Sequence, residues 1–299
     1  MDLVNEVADT YLRTASGSEA ARLRFLQGVW EIQSSIEGVD RPYNAPSEDA
    51  ARDAFATGKP LFFLSAPEVP LAEYLEAVSR LAGYTSSTAG LPADQAEALR
   101  VADFASAIDA EGLAAAALSP QVLVLDVCAG MGAQPGGPLT PATIAFVLVS
   151  ALVPFLTRSS RKALHAVGDQ GSGAHGTGRC PVCGADAAMG RVGESTQLQG
   201  AERTLWCGVC HAEWGYERLR CVRCGCRNPE KLRYTNVEGD SAHRVHLCDE
   251  CHGYARFVFE GDLGKPLSMV VEDAVTAKLD AIAVESGYAV TGDGGSGSC

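Results

Sequence analysis

Four Cys-x-x-Cys pairs constrain this chain more than any other feature of its sequence. They are Cys180/Cys183, Cys207/Cys210, Cys221/Cys224 and Cys248/Cys251. Position 180 corresponds to 221, 183 to 224, 207 to 248 and 210 to 251, always with an offset of 41 residues. A glycine after the first pair and a histidine after the second recur at the same offset. The matched spacing and flanks indicate an internal duplication of a four-cysteine unit.

The four cysteine pairs have the spacing of metal ligands. A Cys-x-x-Cys turn directs two thiolates at one ion, and a glycine just after it permits a positive φ angle. Two turns complete a tetrahedral site, so we predict two metal ions per chain. Site 1 comprises Cys180, Cys183, Cys207 and Cys210, and site 2 comprises Cys221, Cys224, Cys248 and Cys251. A closed shell of four sulfurs has no position for a bound water, which argues against hydrolysis at the metal.

Two questions about these sites stay open at the level of spacing. In a cross-brace, the first and third pairs would share one ion and the second and fourth pairs the other. The duplication favours the consecutive arrangement instead, because each ancestral unit must have held its own ion. Thiolates suit both iron and zinc, so spacing does not choose the metal.

The sequence predicts an α+β protein with a mainly helical N-terminal domain at residues 1–167. Ser18 is a candidate cap for a helix that ends before Gly38. Pro70 fits the first turn of a second helix, which ends before Gly83. A third helix is predicted over residues 92–110. The apolar segment 121–128 fits a buried strand or a buried helix, and we favour the helix.

A longer apolar segment follows. Thr140 and Pro141 open a helix predicted to continue to His165. Its apolar run, residues 144–156, is shorter than the roughly 20 residues that a membrane-spanning helix needs, and it contains Pro154. We therefore predict a helix of the protein core and no stable membrane insertion.

The remaining boundaries follow composition. Residues 168–178 form a glycine-rich linker, and residues 179–219 and 220–262 form two tandem modules. Residues 204–206 and 231–235 have the alternating character of short antiparallel strands, so each module is predicted to be a rubredoxin-like zinc ribbon. A last helix over residues 268–287 and a disordered tail, with an incidental Cys299, complete the chain at residues 263–299.

Several residues near the pairs have a structural and a functional interpretation. We expect Cys226 to lie beside the metal or at the surface rather than to ligate, and Cys128 to be a small buried hydrophobe. Hydrogen bonding is expected for the two histidines that follow the second pairs, His211 and His252. The aromatic side chains are expected to cover the sulfurs rather than to recognise a ligand: Trp206, Trp214 and Tyr216.

Charge bears on possible partners. The net charge of −13 opposes binding to phosphate backbones. A basic cluster occurs at Arg218, Arg220, Arg223, Arg227, Lys231 and Arg233, but Glu213, Glu217 and Glu230 interleave with it. This mixture predicts a solvated face or a protein-docking surface and no nucleic-acid partner.

Catalytic signatures are missing from the sequence. It has no phosphate-binding Gly-x-x-x-x-Gly-Lys loop, no dinucleotide fingerprint and no His-Glu-x-x-His motif, so we predict no catalytic residue and no enzymatic activity. The acidic N-terminus lacks the basic segment and apolar run of a secretory signal. We expect a cytoplasmic location.

The flanks of the pairs carry a family resemblance. The segments CPVCG at 180–184, WCGVC at 206–210, RCVRCG at 220–225 and CDECHGY at 248–254 resemble the formate dehydrogenase accessory protein family, FdhE. The pairs Glu272-Asp273 and Leu279-Asp280 in the predicted last helix agree with it. The resemblance is specific from about residue 180 to 288 and architectural before that.

The resemblance implies a cytoplasmic protein that is needed for active formate dehydrogenase, contacts its catalytic subunit and carries rubredoxin-like iron. Only the eight paired cysteines match the motif positions of that family, and no catalytic residue follows from it. The first hypothesis is therefore an accessory or maturation factor. The alternative is a rubredoxin-type electron carrier, and a nucleic-acid-binding zinc ribbon is less favoured because of the charge.

Overall fold

Helices dominate the first half of the chain. The computed structural model describes residues 2–36, 41–168, 175–193 and 202–290. The helices of this half are α1 (Asp2–Leu12), α2 (Gly17–Ser34), α3 (Glu48–Thr57), α4 (Leu71–Thr88), α5 (Ala93–Arg100), α6 (Phe104–Ala107), α7 (Ala110–Ala116), α8 (Pro120–Gly130) and α9 (Pro141–His165). A short 3-10 turn, Leu61–Phe63, lies between α3 and α4. The helical prediction for segment 121–128 is confirmed, since this segment lies within α8.

The ends of the first two predicted helices differ from the sequence-based boundaries. Helix α2 is capped by Ser16 rather than Ser18, because the Ser16 backbone N–H and hydroxyl both donate to the Glu19 carboxylate, at 3.1 and 2.7 Å. Pro70 precedes the first residue of α4, and the helix continues beyond Gly83 to Thr88. Packing of the buried Thr85 against the core outweighs the modest helix penalty of one glycine. Gly38 lies outside the described residues.

The single helix predicted over residues 92–110 is wrong. The chain instead forms α5 and α6 and then begins α7. Asp103 accepts a hydrogen bond of 3.1 Å from the Ser106 backbone N–H, and Asp109 accepts one of 2.7 Å from Gly112. Each aspartate side chain accepts from a first-turn N–H that has no acceptor within its helix, and so caps the start of a new helix. The chain therefore forms several short helices instead of one continuous helix.

Helix α9 forms the centre of the helical part. Its residues Ile144, Leu148, Leu152 and Leu156 are buried and packed against helices that include α4 and α8. The Tyr74 hydroxyl of α4 donates a hydrogen bond of 3.0 Å to the Leu148 carbonyl oxygen. By length and composition alone α9 could cross a membrane. Its apolar side, however, lies in the core of this structure, as predicted.

The second half forms one six-stranded sheet. Its strands are β1 (Met189–Val192), β2 (Arg203–Trp206), β3 (Glu213–Gly215), β4 (Leu232–Thr235), β5 (His243–Cys248) and β6 (Tyr254–Phe259), in the order β3-β2-β1-β6-β5-β4. Each predicted module supplies three antiparallel strands. Strands β1 and β6 pair in parallel, with Met189 opposite Arg256, and thereby join the modules edge to edge. The strands predicted at residues 204–206 and 231–235 match β2 and β4.

The last helix, predicted over residues 268–287, is divided into α11 (Met269–Val275) and α12 (Lys278–Glu285). A short helix, α10 (Glu260–Leu263), precedes them. The break follows α11 at Thr276, whose hydroxyl bonds back to the Glu272 carbonyl oxygen at 2.6 Å. Helix α11 packs on α1 and α2, whereas α12 packs on β5 and β6. This segment therefore contacts both halves of the protein.

Two predicted segments fall largely beyond the described part of the chain. Most of the glycine-rich linker, residues 169–174, lies outside it. Residues 291–299 of the predicted tail, with Cys299, also lie outside.

Candidate metal centres

The structure gathers the four cysteines of site 1. Their sulfur atoms all lie within 4.8 Å of one another. The Sγ atoms of Cys180 and Cys210 are 3.5 Å apart, as are those of Cys183 and Cys207. All four side chains are buried.

Site 2 repeats this arrangement. Its four sulfur atoms also lie within 4.8 Å of one another. The Sγ atoms of Cys221 and Cys251 are 3.8 Å apart, and those of Cys224 and Cys248 are likewise 3.8 Å apart. The structure thus groups the pairs consecutively and not as a cross-brace. Cys224 is partly exposed, unlike any cysteine of site 1.

Both clusters fit a tetrahedral ion with thiolate ligands. A metal–sulfur bond of about 2.3 Å requires sulfur atoms about 3.8 Å apart at the corners of a tetrahedron. Burial raises the pKa of the Cys180 and Cys210 thiols well above the ordinary value, while hydrogen bonds from the neighbouring cysteines lower the pKa of Cys207. Four buried thiolates cannot coexist so closely without a cation between them, because each would be an uncompensated charge. The donor set suits iron or zinc.

The duplication extends to the backbone. The Cys180 N–H donates to the Ala185 carbonyl oxygen at 2.8 Å, and the Cys221 N–H donates to that of Cys226 at 2.8 Å. Cys226 is therefore the counterpart of Ala185. It is buried beside site 2 but is not among the gathered sulfurs, which agrees with a place next to the metal site rather than in it.

The residues after the pairs show the same repetition. Gly184 and Gly225 have φ angles of 79° and 78°, as the predicted turns require, and His211 and His252 have φ angles of 56° and 51°. Left-handed backbone at a histidine is uncommon. The expected side-chain hydrogen bonds of these histidines are not found within the described residues. Their rings instead contact Trp206 and Tyr288, with centroids 5.1 and 5.9 Å apart.

Site 1 is docked on the helical part. The Leu61 N–H donates to the Pro181 carbonyl oxygen at 2.8 Å, and the Phe62 N–H donates to that of Val182 at 2.9 Å. The Ser160 hydroxyl of α9 donates to the Cys210 carbonyl oxygen at 2.7 Å. Site 1 therefore lies in the interface between the helices and the first module, and its cysteines share one core with α4, α8 and α9.

Site 2 has a more positive environment than site 1. Arg223 takes the place of Val182. The backbone N–H of each lies beside the first sulfur of its site, at 3.3 Å from Cys221 and 3.4 Å from Cys180, so the difference lies in the arginine side chain. Its guanidinium donates to the carbonyl oxygens of Tyr254 and Ala187, at 2.9 and 3.2 Å. Arginine and N–H groups beside thiolates stabilise their negative charge and tune any bound metal.

Most of the other sequence-based expectations hold. Trp206, Trp214 and Tyr216 are buried, in agreement with packing rather than recognition, and Cys128 is buried in the helical core. The basic cluster is only partly the mixed, solvated face that was predicted. Arg227 and Arg220 pair with Glu217, but Arg223 is half-buried and bonds to backbone carbonyl oxygens.

Sequence reasoning missed a buried polar cluster between the two halves. The His243 ring lies between Asp240, 2.9 Å from Nδ1, and Glu272, 2.8 Å from Nε2. The Tyr11 hydroxyl of α1 donates to Glu272 at 2.7 Å. Glu272 stands between the apolar residues Val271 and Ala274 of α11, and that break in the pattern was the available signal.

Together, the fold and the two clusters define a helical protein joined to a duplicated rubredoxin-like four-cysteine module. No family model matches the sequence. Curated relatives do match the cysteine region. The chain is 30% identical over 112 residues to the "Protein FdhE homolog" of Shewanella baltica strain OS223, covering 38% of this chain and 36% of the relative. It is 34% identical over 110 residues to the homologue of Stutzerimonas stutzeri, covering 36% and 35%.

A third relative and a solved structure agree. "Protein FdhE" of Escherichia coli is 29% identical over 113 residues, covering 37% of this chain and 34% of the relative. The matches thus span about a third of the length of these relatives. The crystal structure of the FdhE protein from Pseudomonas aeruginosa superposes with a TM-score of 0.57 at 19% identity, covering 96% of this chain and 90% of that chain. The resemblance to the FdhE family is confirmed, in sequence over the cysteine region and in fold over nearly the whole chain.

Proposed function

We propose that this chain is a non-catalytic, cytoplasmic accessory protein of formate dehydrogenase that docks on the catalytic subunit and binds iron at both four-cysteine sites. The observation that carries the proposal is that the FdhE-like sequence region coincides with the two clusters, within a fold shared with an FdhE protein. Free thiols gathered as metal sites favour a reducing compartment.

Helix α8 offers a surface for docking. Apart from Gln121 and Asp126 its side chains are apolar or small, which is typical of a helix that is covered on most of its surface. Leu123 and Val127 pack into the core, but Val122 and Leu125 are exposed. The second, uncovered side of α8 is where we place the contact with the catalytic subunit.

Co-purification tests this docking. The tagged full-length chain should retain the folded catalytic subunit of formate dehydrogenase. Leu125→Glu should weaken the association, whereas Gln121→Glu, at an exposed position of the same helix, should not. Retention of no catalytic subunit by the unmodified protein would refute the accessory role. If both variants retained the catalytic subunit equally well, the docking surface would not include α8.

The metal is tested separately by elemental analysis of protein purified without oxygen. We expect two iron atoms per chain and the absorption of ferric thiolate after oxidation. Cys224→Ser should lose one of the two. Zinc as the only metal would refute iron, and it would leave the docking result unaffected.

One observation favours electron transfer as a second candidate function. Cys224 brings the edge of site 2 to the surface, and cysteine-bound iron changes oxidation state without changing its ligands. A reversible redox titration of the iron-loaded protein is expected under this alternative. A site 2 that cannot be reduced and reoxidised would exclude it.

A further inference from the structure

A cleft beside site 2 carries an unusual concentration of positive charge. Its volume is about 230 Å³, and it lies against β4, β5 and the segment that leads into the third cysteine pair. The described residues that line it include six arginines and no aspartate or glutamate, in a chain whose net charge is −13. The six are Arg203, Arg218, Arg220, Arg223, Arg233 and Arg244. Cys221 and Cys248 of site 2 also line the cleft, but the six arginines outnumber them, and a mainly positive cleft attracts anions.

Arg203 is the deepest of these cations. It is only 5% exposed, and its guanidinium lies 4.0 Å from the centroid of the Phe257 ring. One terminal nitrogen, Nη1, donates to the carbonyl oxygens of Arg218 and Arg220, both at 2.9 Å. Its Nε is buried and has no hydrogen-bond partner among the described residues. A buried guanidinium whose Nε lacks an acceptor is incompletely compensated.

Part of the positive charge serves site 2 itself. Four thiolates around a divalent ion carry a net negative charge, and Arg220 and Arg223 lie against that cysteine turn. Arg233 and Arg244 have carboxylate partners in Asp249 and Asp262, neither of which lines the cleft. Two arginines therefore remain available to bind a ligand. They are the inner Arg203 and the exposed Arg218, which lies at the mouth of the cleft.

The other residues that line the cleft are largely apolar or aromatic. Arg244 lies over the Phe259 ring, 3.8 Å from its centroid. Tyr234 and Leu219 stand at the mouth and are 65% and 67% exposed. Guanidinium groups bind phosphates, and an exposed aromatic ring offers a face on which a planar group can stack.

We propose that this arginine cleft binds a small organic phosphate, with the phosphate held by Arg203 and Arg218 and a ring stacked on Tyr234. A phosphate suits two guanidinium groups better than a single carboxylate does, because it carries up to two charges and three acceptor oxygens. The cleft has room for the phosphate and for part of the group attached to it, and the rest of the ligand extends along Tyr234 into solvent.

Titration calorimetry on the full-length, metal-loaded protein at low salt tests the proposal, with adenosine monophosphate and inorganic phosphate as probes. Adenosine monophosphate should bind more tightly than inorganic phosphate. Arg218→Gln should weaken both about tenfold, the loss expected for one charged hydrogen-bonding group. Tyr234→Ala should weaken only the nucleotide. Arg179→Gln, an exposed arginine that precedes site 1 as Arg220 precedes site 2, is the matched control and should change neither.

Several outcomes would overturn the proposal. One is the absence of binding of either probe to folded, metal-loaded protein. Another is binding that Arg218→Gln and Arg203→Met both leave unchanged while the variants remain folded. Equal or tighter binding of citrate at the same site would refute the phosphate class. Insensitivity of nucleotide binding to Tyr234→Ala would refute the stacked ring.

Discussion

The Ser160 hydroxyl and the Cys210 carbonyl oxygen are joined by a buried hydrogen bond of 2.7 Å, which connects helix α9 directly to the last ligand position of site 1. Ser160→Ala leaves that buried carbonyl without its partner. We expect a loss of about 1–3 kcal/mol in the free energy of unfolding, measured with urea. Ser159→Ala, one position away on the same helix, should cost much less. An equal loss in both would show that the bond is not what stabilises the interface.

The two metal sites should respond differently to the loss of one ligand. Cys183→Ser should remove one metal and also lower the melting temperature of the helical part, because site 1 shares its core. Its counterpart Cys224→Ser should remove one metal with little effect on the helices. Metal content and far-ultraviolet circular dichroism measure both effects. Equal helical destabilisation by both variants would contradict the asymmetry.

The glycines after the pairs form a matched set. Alanine at Gly184 or Gly225 must adopt a positive φ, at a cost of about 1–2 kcal/mol. At Gly184 the new Cβ would also lie 2.9 Å from Pro60 Cγ, whereas at Gly225 it would meet only the mobile end of Arg220, at 3.2 Å. We therefore expect Gly184→Ala to lower the melting temperature further than Gly225→Ala. The reverse order would contradict the docking of site 1 on Pro60.

Stability should fall as pH rises above neutrality. Burial alone would lower the pKa of His243, but its contacts with Glu272 and Asp240 raise that pKa overall. Tyr11 and Glu272 face the ring from α1 and α11, and Lys278 lies 4.0 Å from Asp240. Because the folded pKa exceeds the unfolded value of about 6.5, the stabilisation is complete below that pH. It is lost as pH rises through the folded pKa.

Urea unfolding between pH 6 and pH 9 measures this dependence. His243→Gln should flatten the profile, since glutamine cannot take up the proton. His165→Gln, at an exposed position, should leave the slope unchanged. A profile that His243→Gln does not alter would assign the pH dependence to other groups.

Regular spacing made much of the candidate site predictable. The 41-residue offset identified both four-cysteine sets and their consecutive grouping, because a repeat conserves local turns. The glycine after each first pair predicted a positive φ for the same reason. The left-handed histidines escaped prediction, since histidine has no preference strong enough to signal that conformation.

Long-range contacts were not predictable from local patterns. The parallel pairing of β1 and β6 joins residues far apart in sequence and leaves no periodic trace. The burial of site 1 depends on Leu61 and Phe62, more than a hundred residues before the cysteines. Arg203 begins a short strand whose pattern suggests an exposed charge, and only the tertiary fold shows that it is buried over Phe257.

The way the two modules share a sheet determines whether a further module could pair with its edges. Strand β6 is the counterpart of β3, and β4 of β1, so the seam between the modules joins unlike edges, as in a head-to-tail chain. A seam with two-fold symmetry would pair like edges and leave no edge suited to a further copy. This seam pairs β1 with β6, and the outer strands β3 and β4 are the counterparts of those two edges. At one end strand β3 is only three residues long, and the His175 N–H already bonds to the Gly215 carbonyl oxygen at 2.8 Å. That bond occupies a position which another strand would need, and it limits the array to two units at this end.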